Sequence, residues 1–139
     1  MKFVTNRTKS DVLLGTEKGY YGVSDLNRVE TAVLELARLA KTLGSNKTFE
    51  TKTNWGLPGE FSVLQWPTKN QMARYLDNVC SLCEVVELAA NIPTSMEHLT
   101  WDGANRIEEA LSIVYERMQR ILTTFRYSGE LFAGEENVL

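Results

Sequence analysis

Residues 100–125, TWDGANRIEEALSIVYERMQRILTTF, carry the longest unbroken apolar pattern in the chain and decide its fold class. Apolar side chains recur there at alternating spacings of three and four residues, which places them on one face of an α-helix. They are Ala104, Ile107, Leu111, Val114, Met118, Ile121 and Phe125. We therefore predict a helix over residues 100–125 whose apolar stripe faces a core.

The same spacing occurs earlier in the chain, over residues 24–43. Ser24 is suited to cap the start of a helix, and Asp25 is favourable in its first turn. Gly44 can end the helix because glycine adopts the left-handed conformation without a steric cost. The stretch therefore predicts a second helix, with a single apolar stripe.

A third stripe covers residues 68–90. Thr68 and Gln71 form a capping-box pattern at its start, and Pro93 marks the latest point at which the helix can stop. Three helices of similar length, each with one apolar stripe, predict a mainly α fold, a three-helix bundle. We expect an up-down-up topology, because each stripe is then covered along its whole length.

The remaining segments are expected to be short or extended. Thr8 followed by Asp11 resembles a cap and predicts a leading helical turn, with Val12, Leu13 and Leu14 packing across one end of the bundle. The connector from 45 to 67 is long, and residues 48–55 alternate, so we predict an ordered loop or a small β-ribbon there. Residues 127–139 contain two Ser/Ala-Gly-Glu repeats and predict a carboxyl-terminal segment that is either an extended arm or a disordered tail.

Composition indicates one domain spanning residues 1–139. Its 43% apolar and 24% charged residues are typical of globular proteins. A net charge of -3 with scattered Lys and Arg argues against a nucleic-acid partner, which needs a clustered basic face. No apolar run approaches the roughly 20 residues that a membrane-spanning helix needs. We therefore expect neither a nucleic-acid nor a membrane partner.

The chemically reactive residues do not assemble a recognisable active site. Cys80 and Cys83 form a C-x-x-C pattern, but it lies in the middle of a predicted helix rather than at its amino terminus. A structural zinc would need two more ligands, and His98 is the only histidine. We predict no catalytic residues, no metal and no cofactor, and hence no enzyme.

The acidic residues of the predicted helices fit solvated faces. Glu108 with Glu109, and Glu84 with Glu87, are spaced as charges on a helix surface often are. Glu116 and Arg120 are four residues apart, which favours an ion pair along the helix.

Three tryptophans fall in predicted loops or at helix starts. Trp55, Trp66 and Trp101 could each anchor a loop in the core. Alternatively, they form an aromatic platform that binds a partner protein or a sugar, since tryptophan is enriched at such contacts. The sequence leaves both readings open.

Several phrases resemble prophage-encoded proteins of Gram-positive anaerobes. The first is YGVSDLNRVE at 21–30, followed by the Trp-containing loop KTNW at 52–55. Pro67-Thr68, Met72 and Tyr75-Leu76 resemble the helix start that comes next in those proteins, and YSGELFAGE at 127–135 resembles their closing phrase. The resemblance spans nearly the whole chain and implies a module associated with a phage tail, baseplate or fibre. It implies no catalytic residues.

We therefore hypothesise a virion structural or assembly module of a prophage tail that acts by protein–protein contact. Its partners would be other phage tail proteins or further copies of itself, in a virion assembled in the bacterial cytoplasm. The alternative is a host-surface binding module that recognises a carbohydrate or receptor through its tryptophan loop. The expected partner-binding residues are Trp55, Trp66, Tyr127, Leu131 and Phe132.

Overall fold

A computed structural model describes residues 1–58 and 66–133, with side chains described as far as residue 124. The described chain is mainly helical, as predicted. A short 3₁₀ helix, Glu17–Gly19, follows the first α-helix. The four α-helices are α1 Lys9–Leu14, α2 Val23–Thr42, α3 Lys69–Val85 and α4 Trp101–Ala133.

Local side chains start the helices much as the sequence predicts. Thr8 and Asp11 form a capping box at α1, and Thr68 and Gln71 form another at α3. In each box the side chains satisfy two backbone N–H groups that the helix leaves without partners. At α2 the cap is Gly22, whose N–H donates to the Asp25 carboxylate at 3.0 Å, so this helix begins one residue earlier than predicted.

Two helices end in the same left-handed turn. After α2, Gly44 has φ +94°, and the N–H of Ser45 donates to the carbonyl of Ala40. After α3, Glu87 has φ +54°, and the N–H of Leu88 donates to the carbonyl of Cys83 at 2.8 Å. Both are Schellman motifs. The predicted end of α3 at residue 90 is therefore wrong, because Glu87 turns the chain before Pro93 is reached.

The last helix is longer than predicted. Its backbone stays helical to Ala133 rather than ending at 125, so an extended arm over residues 127–133 is wrong. Ser128 and Gly129 keep their backbone N–H groups, and a glycine inside a helix costs only about 1 kcal/mol relative to alanine. No proline follows to break the hydrogen-bond ladder. The rest of the predicted arm, residues 134–139, lies outside the described residues.

The three long helices all begin at the same end of the molecule. Leu26 in the first turn of α2, Met72 in the first turn of α3 and Ala104 in the first turn of α4 line one common groove. The amino-terminal ends of α2, α3 and α4 therefore lie together at one end of the bundle.

The far ends of the helices also coincide. Arg117 of α4 donates from Nη1 to the carbonyl of Val86, directly after α3. Lys47, a few residues beyond α2, pairs with Glu84 in the last turn of α3. The helices are therefore parallel, and the expected up-down-up topology is wrong. An apolar stripe looks the same when a helix is reversed, so the stripes themselves carry no information on direction.

Parallel helices explain the long connector between α2 and α3, because the chain must return along the full bundle before α3 can start. The Asn78 side chain donates to the carbonyl of Glu50 at 2.7 Å. Farther along, Asn27 exchanges two hydrogen bonds with the backbone of Trp55. Residues 48–55 form no strand, so this part of the connector is an ordered loop and not an arm of a ribbon. The other predicted arm falls largely on residues 59–65, outside the described residues.

Two more extended segments run along the bundle. Residues 86–100 return beside α4, where Arg106 donates to the carbonyl of Asn91 at 3.2 Å. Residues 1–7 lie between α2 and α4, and the Asn105 side chain bonds both the N–H and the carbonyl of Arg7. Each extended segment thus gains fixed hydrogen-bond partners on the helices that it covers.

The predicted stripes face one core. In α4, the side chains of Ile107, Leu111, Val114 and Met118 have no exposed surface. Val79 and Leu82 of α3 meet them, together with the stripe of α2. Trp55 is the largest fully buried side chain and fills the space between the loop and the helices.

Candidate functional site

Exposed apolar side chains concentrate where the amino-terminal ends of the helices meet. Leu13 and Leu14 of α1 are 75% and 78% exposed, Tyr20 is 73% exposed and Trp66 is 60% exposed. Val12 and Trp101, which are partly exposed, border the groove at this end. We call this surface the apolar end; it consists of Val12, Leu13, Leu14, Tyr20, Trp66 and Trp101.

The apolar end corrects one prediction. Val12, Leu13 and Leu14 were expected to pack across the end of the bundle, but α1 has no buried residue. The helix has only six residues, and its capping box and Gly15 turn hold it as a separate turn beside the bundle. Several exposed large apolar side chains near one groove are typical of contact sites in soluble proteins.

A groove opens within the apolar end. Its volume is about 550 Å³, and it lies between the 3₁₀ helix, the start of α3 and the start of α4. A second lobe of about 520 Å³ continues along the first turns of α3. The two lobes share Pro67, Met72 and Met96. Methionine side chains adapt readily to different apolar shapes, which suits a surface that receives a partner.

Arg7 forms the polar wall of the groove. It is 3% exposed, and its guanidinium lies over the Tyr21 ring with 5.2 Å to the centroid. Nη2 donates to Glu108 at 2.6 Å and Nη1 donates to the carbonyl of Val4 at 2.8 Å. Among the described residues, the buried Arg7 Nε–H has no acceptor. Because this nitrogen is itself buried, it is not open to a molecule in the groove, whose walls are mainly apolar.

Behind the groove, Glu108 holds three segments together. Its carboxylate has no exposed surface and accepts the Val4 N–H at 3.0 Å. Arg28 of α2 also binds it, with 3.0 Å from Nη2 to Oε2, and this pair holds the pKa of Arg28 above its ordinary value. Asp25 completes a cluster of two arginines and two carboxylates, so its formal charges balance.

A second buried carboxylate fixes the connector. Glu30 is 1% exposed and accepts the indole N–H of Trp55 at 2.5 Å. Arg74 of α3 donates to both of its oxygens, at 2.5 and 3.1 Å. The backbone N–H of Lys52 also donates to Glu30, at 3.2 Å. Every oxygen of this carboxylate is therefore satisfied, as burial requires.

The hydroxyls of Tyr21 and Tyr75 are hydrogen-bonded to each other between these two clusters. Burial raises the pKa of both hydroxyls above their ordinary value near 10. Both tyrosines are therefore neutral at physiological pH. This hydrogen bond connects α3 to the segment before α2. It stabilises the fold and does not form a reactive site, because it creates no free nucleophile or base.

The predicted partner-binding residues differ in their exposure to solvent. Trp66 is exposed at the apolar end, as a contact residue must be. Trp55 is 1% exposed, so its predicted partner contact is wrong; burying its large ring and bonding its N–H to Glu30 stabilises the core instead. Tyr127, Leu131 and Phe132 lie on the helical backbone of α4, but their side chains are outside the described ones.

The cysteines have unreactive environments. Burial raises the pKa of the Cys83 thiol to about 11, and the pKa of Cys80 is also raised, by partial burial beside Asp77 and Glu84. Both thiols are therefore protonated at neutral pH, whereas redox and metal chemistry need the thiolate. His98 lies exposed in a left-handed turn. Within residues 1–58 and 66–133, no group of three or more acidic, histidine or cysteine side chains could hold a metal ion.

The acidic residues follow the prediction only in part. Glu116 and Arg120 form the expected ion pair at 2.5 Å, and Glu109 is exposed. Glu108 was expected on a solvated face and is fully buried instead, because Arg7 and Arg28 reach it from two other segments. The sequence does contain a signal for this. Glu108 lies four residues after Ala104 and three before Leu111, within the apolar sector of α4.

Comparisons with protein-family models, curated proteins and solved structures find no match to this chain. No helix of the described chain has the length and apolarity needed to cross a membrane.

Proposed function

We propose that this protein is a structural or assembly module of a prophage tail that acts by protein–protein contact. The observation that carries the proposal is the apolar end. Val12 and Trp101 line a groove there, and the exposed side chains of Leu13, Leu14, Tyr20 and Trp66 are close in the sequence to other residues that line it. Leaving this much apolar surface in water is unfavourable, by about 25 cal/mol for each Å² that a partner would cover. A partner surface therefore accounts for it best.

The prophage assignment rests on the resemblance of the phrases at 21–30, 52–55, 67–76 and 127–135. Partners are expected to be other tail proteins or further copies of this chain. The protein would then be part of the virion, after assembly in the bacterial cytoplasm. Tail components usually form symmetric rings or fibres, in which one surface is used repeatedly.

Capture of neighbouring tail proteins tests the proposal. The immobilised chain should retain one or more of the tail proteins encoded beside it. A Leu13→Lys/Leu14→Lys variant should lose that capture and stay folded, because both side chains are exposed in the isolated chain. An Ala89→Lys variant, which changes an exposed position outside the apolar end, is the matched control. Equal capture by all three proteins would contradict the proposal.

The host-surface alternative depends on Trp66, since Trp55 is buried. An exposed tryptophan beside a groove can stack on a sugar ring or a receptor side chain. Binding to purified host envelopes that is lost in Trp66→Ala, with capture of tail proteins unaffected, would favour the alternative.

A further inference from the structure

The amino-terminal segment, residues 1–7, lies in a site that side chains of α2 and α4 form. Arg28 of α2 donates to the carbonyl of Lys2 at 3.1 Å. Glu108 of α4 accepts the N–H of Val4 at 3.0 Å. Hydrogen bonds to the main chain hold an extended peptide in the same way when a protein binds a separate peptide, and side-chain contacts then add specificity.

Arg7 supplies the specific contact of this segment. The Asn105 side chain bonds both the N–H and the carbonyl of Arg7, and Arg7 Nη2 donates to the fully buried Glu108 at 2.6 Å and lies 3.5 Å from Asp25. Without Arg7, two carboxylates would face the single guanidinium of Arg28. A buried charge that loses its partner is strongly destabilising. The site therefore requires an arginine at this position of a segment, from whichever chain that segment comes.

The linker, residues 8–20, joins this segment to the bundle and packs mainly on itself. Thr16 and Lys18 contact the Asp11 carboxylate, at 3.0 and 3.6 Å. Among the described elements, α1 packs against the 3₁₀ helix and has no comparable packing against α2, α3 or α4. No residue of the linker is buried. Its large exposed apolar side chains are Val12, Leu13, Leu14 and Tyr20.

The linker is long enough to reach a second molecule. Its 13 residues span up to about 45 Å when they are extended. A segment makes the same contacts in the site of its own chain and in that of a second copy, so the two arrangements differ only in their linkers. Where two linkers lie side by side, Leu13 and Leu14 of each gain a partner. That gain opposes the advantage in effective concentration that a segment has for its own site.

From these observations we infer that two copies of the chain exchange their amino-terminal segments. Residues 1–7 of each copy occupy the site of the other, and the two linkers pack together through Leu13 and Leu14. The partner copy then contributes the arginine without which the site is incomplete. The inference rests on the proposed function, since it takes a second copy of this chain as the partner. Such an interface is isologous and closes as a dimer with twofold symmetry.

Chemical coupling in a mixture of unlabelled and isotopically heavy chains tests the exchange. Lys2 and Glu35 line one cavity, so a carbodiimide should join the segment to α2. The two chains are unfolded together in urea, refolded at high concentration and coupled, and the dimer is isolated. About half of its Lys2–Glu35 products should then join a heavy peptide to an unlabelled one, because the two populations pair at random in the exchanged dimer.

Lys47 and Glu84 provide the internal control. They form an ion pair between the connector and α3, neither of which takes part in the exchange. Their coupled peptides should therefore always carry the same label.

A variant of the linker separates exchange from occupation of the site. Leu13→Lys/Leu14→Lys should lose the mixed Lys2–Glu35 product, because like charges then meet where the linkers pack. It should keep the product within one chain, since both leucines are exposed there. Ala89→Lys adds a charge at an exposed position outside the linker and should give the mixed product as the unaltered chain does.

Lys2–Glu35 products that are never mixed would overturn the inference, and so would mixed products that persist undiminished in Leu13→Lys/Leu14→Lys. A Lys47–Glu84 product without any Lys2–Glu35 product would show that the segment does not occupy the site, which also overturns it. If neighbouring tail proteins are captured although every segment stays on its own chain, the proposed function stands and only the exchange fails. Mixed products without such capture would support the exchange and count against the assignment to a phage tail.

Discussion

The carboxylate of Glu108 has no exposed surface, and it joins three segments of the chain: α4, which carries it, the amino-terminal segment and α2. The amino-terminal segment reaches it through Val4 and Arg7, and α2 reaches it through Arg28. Removing one partner of a buried ion pair leaves the others desolvated without compensation. The cluster therefore fixes how these segments pack together. We expect it to contribute more to the free energy of unfolding than the exposed pair Glu116–Arg120 does.

Glu108→Gln should lower the free energy of unfolding by about 3–5 kcal/mol, because both arginines then lose a buried counter-charge. The adjacent Glu109 is exposed, and Glu109→Gln should change it by less than about 0.5 kcal/mol. Urea unfolding of the two variants measures the difference. If Glu108→Gln were as mild as its neighbour, the buried cluster would not hold the segments together.

The paired tyrosines give the protein a stability limit at high pH. Burial raises the pKa of Tyr21 and Tyr75 in the folded chain, whereas the unfolded chain releases both protons near pH 10. The folded state then binds more protons than the unfolded state, so stability is fully present below about pH 10 and falls as the pH rises further. Absorbance of tyrosinate should show two of the five tyrosines ionising only as the protein unfolds. Ionisation of all five near pH 10 in the folded protein would contradict this.

At the scale of the helices, the features that the sequence predicts are local. The capping boxes at Thr8 and Thr68 and the turn at Gly44 depend on residues within one helical turn, so their patterns are visible in the sequence. The end of α3 was not visible, because glutamate is an unusual residue for the left-handed position that Glu87 occupies. The continuation of α4 past residue 125 has no clear sequence signal either, because serine and glycine weaken a helix without breaking its hydrogen bonds.

Glu87→Gly should stabilise the protein by about 0.5–1 kcal/mol, because glycine removes the steric cost of the left-handed conformation. Part of that gain is lost, since glycine also gives the unfolded chain more conformational entropy. Gly44→Ala should destabilise it by about 1 kcal/mol, because alanine at φ +94° is strained although the space beside it is open. Thermal unfolding of both variants checks the pair. A fall in midpoint for Glu87→Gly would mean that the glutamate side chain stabilises the turn.

The direction of the helices and the position of the apolar end depend on contacts across the whole molecule. No short stretch of the sequence signals either of them. The lengths of the connectors were the available clue: 26 residues separate α2 from α3, from 43 to 68, and 15 separate α3 from α4, from 86 to 100. Such lengths fit a return along the bundle better than a tight antiparallel turn. Burial of Glu30 and Glu108 was indicated only by their register within the apolar sectors. The unburied leucines of α1 had no signal, since an apolar run does not say which partner will cover it.

Parallel helices give the molecule two different ends, and the apolar end is the one at which α2, α3 and α4 all begin. In an antiparallel bundle, by contrast, each end would contain both helix starts and helix ends.

Sedimentation velocity of the full chain tests the central claim most directly. The chain is measured alone and with the tail proteins encoded beside it, over roughly a hundredfold range of concentration, because association follows mass action. The account predicts species larger than the 15.7 kDa monomer that grow with concentration and disappear in the Leu13→Lys/Leu14→Lys variant. A chain that sediments as a monomer in every mixture would contradict a function by protein–protein contact through the apolar end.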